Sequence, residues 1–81
     1  MVTYYVVQAF QVGRKGVLVP DEPREARTEL QAETLADRLA AIRAGVVAFS
    51  RTGDPATGDF DDAVVICSYG RLPDALLEMA G

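Results

Sequence analysis

One segment governs what this chain can become. From Thr28 onward the apolar residues Ala32, Leu35, Ala36, Leu39 and Ile42 recur at the i, i+3, i+4, i+7 spacing of a single helical face. Glu33, Asp37, Arg38 and Arg43 populate the opposite side. Thr28-Glu29-Leu30-Gln31 has the form of a capping box, with a Thr hydroxyl for the Gln31 amide and a Gln side chain reaching back. Gly45 stands where a left-handed residue would close the helix. A helix of roughly seventeen residues is about 25 Å long, enough to cover a small sheet.

The flanking segments read as strands. Thr3 to Val12 is rich in β-branched and aromatic residues and lacks helical spacing. Gly13-Arg14-Lys15-Gly16 supplies a tight turn, and Val17-Leu18-Val19 resumes the apolar pattern. With Arg14 and Lys15 at the tip, Val12 is expected opposite Val17 and Phe10 opposite Val19. Pro20 and Pro23 donate no ladder hydrogen bonds, so this second strand should stop near Pro20 as an edge. After the helix, Val46 to Thr52 is a third strand. Asp54-Pro55-Ala56-Thr57-Gly58 suits a type I turn followed by a left-handed glycine, and Asp59 to Tyr69 returns as a fourth strand. Closing on Gly53 and Asp59 sets Arg51 against Asp61, Phe49 against Ala63 and Val47 against Val65. Pro73 opens a short C-terminal helix reaching about Met79.

The order ββαββα defines an α+β fold filling residues 1–81 as a single domain. We expect a four-stranded, mostly antiparallel sheet in the order 2-1-3-4, with the long helix on one face and the short C-terminal helix beside it. Tyr4, Val6 and Phe10 point to one side of the first strand, and Tyr5, Val7 and Ala9 to the other. Both faces are therefore apolar, which is unusual for an antiparallel sheet with a wet face. A chain of 81 residues is also short for an independent core. Such domains recruit disulfides, a metal or another subunit. One cysteine and no histidine favour the subunit, so a homodimer is the expectation.

Composition removes several functions. Eight basic against twelve acidic residues give a net charge of −4, which opposes binding to nucleic acid. No apolar run approaches the length of a membrane span, and the first residues lack a secretory signature, so a cytoplasmic setting is expected. Without histidine, triad chemistry at Ser50 or Ser68 has no base, and Cys67 has no activating partner. Asp54, Asp59, Asp61 and Asp62 gather carboxylates near one turn, but their spacing is not that of a calcium loop. No metal and no cofactor is expected. Arg14 and Lys15, or Arg51 and Asp61, are candidates for contact with an anionic ligand. Tyr4, Tyr5, Val7 and Tyr69 are candidates for an interface, because amphipathic aromatic side chains suit partly buried sheet surfaces.

The stretch Gly45 to Asp54, with Gly58 and Asp61 to Val65, the opening Tyr-Tyr-Val-Val-Gln strand and Asp21 to Ala26, resembles small alphaproteobacterial proteins of unassigned function. The resemblance spans nearly the whole chain. It implies a bacterial, cytoplasmic setting and carries no catalytic residues across. The expected role is a non-enzymatic interaction or ligand-binding module acting as a homodimer, its partner a second copy or another protein. The alternative is a small enzyme that uses Arg51 and Asp61 on an anionic substrate.

Overall fold

A computed structural model describes residues 1–74. The expected C-terminal helix lies outside the described residues beyond Asp74. The elements are β1 (Val2–Val12), β2 (Leu18–Pro20), β3 (Arg24–Ala26), α1 (Glu29–Ala40), β4 (Gly45–Asp54), β5 (Asp59–Phe60) and β6 (Val64–Gly70). Together they make an α+β fold, one helix on an antiparallel sheet.

The long strands β1 and β4 form the middle of the sheet, in continuous register from Val2 opposite Gly53 to Phe10 opposite Gly45. On the far side of β1, β2 pairs with Phe10 to Val12 and β3 with Tyr5 to Val7. On the far side of β4, β5 pairs with Gly53 and Asp54, and β6 runs from Gly45 to Ser50.

Among the described residues the sheet thus has six strands instead of four. Its path is β2-β1-β4-β5, with β3 also on β1 and β6 also on β4. The second strand stops at Pro20, as expected, but past Pro20-Asp21-Glu22-Pro23 the chain pairs with β1 again as β3, held in between by the Asp21 amide, which donates to the Ala9 carbonyl at 2.9 Å. The expected fourth strand is broken at Asp61-Asp62-Ala63, where the Asp61 amide donates to the Thr52 carbonyl at 2.8 Å.

Both hairpin registers are offset from expectation. Lys15 takes φ 61° and Gly16 φ 75°, so a 3-10 turn over Arg14–Gly16 widens the first loop and sets Val12 against Leu18. The second closes on Asp54 and Asp59, with the Gly58 amide donating to the Asp54 carbonyl at 2.9 Å and Gly58 at φ 78°. That puts Gly53 opposite Phe60. Further along, Phe49 faces Val65 but Ala48 faces Cys67, leaving Ile66 as an extra residue that bends β6.

Helix α1 begins as its sequence dictates. Thr28 Oγ1 accepts from the Gln31 amide at 3.1 Å, and Gln31 Oε1 accepts from the Arg27 amide at 3.2 Å. It has 12 residues, shorter than its apolar pattern, because the chain after Ala41 is drawn into the sheet. The Ala44 amide donates to the Phe10 carbonyl at 3.0 Å, and Gly45 already belongs to β4. Ala32, Ala36 and Leu39 pack on Val7, Ala9, Val46 and Ala48, with Tyr5, Leu35, Ile66 and Cys67 at the margins. Alanines at the contact let the helix lie close to the sheet, so this small core is dense.

On the opposite face Phe10 is 5% exposed and Val47 3%. Together with Gln8, Pro20, Phe49 and Pro73 they line a shallow apolar groove of about 270 Å³. The expected second apolar face thus buries Phe10 and Val47 at its centre and leaves an apolar groove beside them.

Candidate interaction site

The expected ligand residues fall into two separate places. Arg14 and Lys15 sit at the exposed tip beyond the end of β1. Arg51 lies opposite Tyr4 near its start, about 26 Å away along the extended strand. Arg51 and Asp61 are adjacent, but they form no ion pair: Arg51 Nε donates to the Asp61 backbone carbonyl at 3.4 Å. The Arg51 guanidinium covers the Phe60 ring at 5.5 Å, and the Tyr4 ring is 5.9 Å from Phe60. Arg51 and Asp61 are both exposed. This is a stacked surface cluster without an enclosed carboxylate.

Of the expected interface residues, Val7 is 1% exposed and belongs to the core beneath α1, with Tyr5 packed against it. Tyr4 is half-buried on the other face, and Tyr69 is 37% exposed on β6.

A cavity of about 390 Å³ opens between β3 and the end of α1, lined by Asp21, Glu22, Pro23, Arg24 and Arg43 over Val7, Ala9 and Leu39. Two of its four charges are spent on each other. Arg43 Nε donates to Asp21 Oδ2 at 2.6 Å, and Gln11 Nε2 donates to Asp21 Oδ1. These hydrogen bonds, Arg43 first, hold the Asp21 carboxyl below its ordinary value. The pair fastens the β2–β3 connection to the residues after α1, which is a structural task. Among the described residues no group of acidic or sulfur ligands is placed to hold a metal ion. No described helix is long and apolar enough to cross a membrane.

The two outer borders of the sheet differ sharply. On the β1 side, β2 and β3 are three residues each, separated by prolines, and β3 carries Arg24 and Glu25. Short strands, prolines and charges are the devices that keep a border from pairing with another chain. On the β4 side, β6 runs for seven residues, Val-Val-Ile-Cys-Ser-Tyr-Gly, without a charge or a proline. Among the described residues it pairs only with β4. Val64 is 63% exposed. Among the described residues, the Ile66 bulge interrupts its regularity.

Helix α1 overlooks this border. It packs across β1, β4 and β6. Glu29, Glu33 and Asp37 fall at i, i+4, i+8, within about 80° of one another around the helix. All three are exposed, and none has an ion-pair partner among the described residues. The helix dipole favours Glu29 in the first turn, but like charges four residues apart cost a few tenths of a kcal/mol. The acidic flank is on the β6 side. Burial raises the Cys67 thiol pKa, with Glu33 and then Asp37 adding to it, and both acids also push the Tyr69 hydroxyl up. Cys67 is thus a weaker nucleophile than an ordinary exposed thiol.

The sequence reading named Tyr69 but passed over Val64 and Ser68 as border residues, and Glu33 and Asp37 as their neighbours. The signal was present in the uncharged run after Asp61-Asp62 and in the acidic i, i+4 spacing. No protein-family model, no curated protein and no solved structure matches the chain.

Proposed function

We propose that the chain is a non-enzymatic interaction module that binds an extended segment of another protein by adding it as a strand to β6. The observation that carries this reading is the seven-residue β6, uncharged and proline-free, bonded on one side only among the described residues. Strand addition supplies main-chain hydrogen bonds for affinity and alternating side-chain contacts for selectivity. The blunted β2–β3 border makes the contrast informative, since the same sheet guards one side and leaves the other open. The exposed, backbone-bonded Arg51 and the engaged Asp21–Arg43 pair support a binding role over catalysis.

A seven-residue peptide of alternating Val and Ser tests this reading without invoking charge. It should bind with a one-to-one stoichiometry by calorimetry. A version N-methylated at alternate residues on its bonding edge should not bind. Equal binding of the two versions, or none by either, contradicts strand addition.

Self-pairing is the second reading, favoured by the same lack of charge along β6: two copies joined there antiparallel would set no like charges directly opposite. The expected homodimer would take this form. Sedimentation equilibrium separates the readings, since the primary one expects a monomer at 0.1 mM, a concentration about that of weak strand pairing.

A further inference from the structure

A strand docked on β6 has two faces, because successive side chains alternate across it. On the side of α1 it passes next to Glu33 and Asp37, exposed acids of a helix packed on β6, without an ion-pair partner among the described residues. On the other side it meets the apolar surface formed by Val65 opposite Phe49, both half-buried. An incoming segment therefore finds one acidic neighbour and one greasy one. A second copy meets the acidic side badly. Antiparallel strands paired edge to edge are related by a two-fold axis perpendicular to the sheet, so both α1 helices would share a face and turn their acidic flanks toward each other. Like charges brought together across an interface select against that partner.

Resting on the strand-addition reading, we propose that the segment recognised at β6 belongs to another protein and carries Lys or Arg on the face turned toward α1, with apolar residues on the other. The seven residues of β6 set the length of the recognised stretch at about seven.

The test compares three seven-residue peptides in which Val alternates with Lys, Ser or Glu. They are titrated against the full chain and against the double variant Glu33→Gln/Asp37→Asn, whose changes are both on the exposed helix surface. The Lys peptide should bind about tenfold tighter than the Ser peptide at low salt. Added salt should shrink that advantage, and the double variant should abolish it while leaving Ser-peptide binding unchanged. The Glu peptide should bind most weakly. Equal binding of the Lys and Ser peptides overturns the charge selection and leaves strand addition standing. Failure of all three overturns both readings. An advantage for Lys that survives in the double variant places the attraction elsewhere and overturns this one. A stable dimer that excludes every peptide makes a second copy the occupant and overturns it too.

Discussion

Two glycines show how differently one residue type is used here. A Cβ on Gly45 would fall on the Arg71 carbonyl oxygen, because the chain returns past Gly45 where the Arg71 amide donates to the Ala44 carbonyl at 2.9 Å. Nothing there is the end of a flexible side chain, so the backbone itself must move. Gly58 has open space around its Cβ position but φ 78°. Gly45→Ala should therefore lower the unfolding free energy by about 3 kcal/mol or more, and Gly58→Ala by about 1 kcal/mol, as read from urea midpoints. The sequence marked Gly58 correctly as a turn residue, from the spacing of Asp54, Pro55 and Gly58. It misjudged Gly45 as a helix cap, since the contact that demands glycine comes from Arg71, twenty-six positions along. Asp21 supplies the pH-dependent counterpart. Its carboxyl is held below the ordinary 3.8, chiefly by the Arg43 hydrogen bond and then by Gln11. A depressed folded-state pKa contributes stability that is complete above the unfolded value and disappears as pH falls through the folded one. Urea midpoints measured from pH 6 down to pH 2 should fall along an acid limb that Asp21→Asn makes shallower. An unchanged limb would mean the pair fastens nothing.

At the scale of elements, helix α1 was the most legible part of the chain, because periodicity and capping are local. Its buried side is Ala32, Ala36 and Leu39, all within the expected apolar face. Leu39→Ala should cost about 2–4 kcal/mol, whereas Leu30→Ala, at a residue 71% exposed, should stay within about 0.5 kcal/mol. What was not legible was register. Each hairpin closes one position away from expectation because its loop geometry, and not the pairing of side chains, fixes the closing pair. Along β6 the offset grows to Phe49 opposite Val65 and Val47 opposite Ser68. Lys15 in the left-handed region widens the first loop, and the four residues between Asp54 and Asp59 set the second. The breaks at Asp21 and Asp62 follow the same logic: proline and clustered charge end pairing locally while the chain direction continues. The acidic flank of α1 also has a chemical signature. Burial and then Glu33 hold the Cys67 thiol above its ordinary value. Glu33→Gln should therefore speed alkylation of Cys67 by iodoacetamide at pH 8, in folded protein, and an unchanged rate would place Glu33 too far from β6 to shape a partner.

For the whole molecule, the decisive feature is asymmetry. The second face of the sheet buries Phe10 and Val47 and keeps an apolar groove beside them. The partner strand proposed above would be taken up at a border instead, where backbone groups and not side chains are left to be satisfied. A sequence shows which residues are apolar, but it does not show which strand ends up outermost, so this site emerged only with the sheet order. The same order places charge beside the proposed docking edge: α1 packs on β6, and its acidic flank lies on that side. A charge placed on that edge should close it. Val64→Lys, at an exposed position, should leave the urea midpoint within about 0.5 kcal/mol of the parent and weaken peptide binding at least severalfold. The most direct measurement is residue-resolved amide hydrogen exchange across Val64 to Gly70, in the free protein and with the Val/Lys peptide bound. Alternate amides of β6 should exchange rapidly in the free chain and become protected by the peptide. Uniform protection in the free chain, or exchange that the peptide leaves untouched, would contradict the open edge on which this account is built.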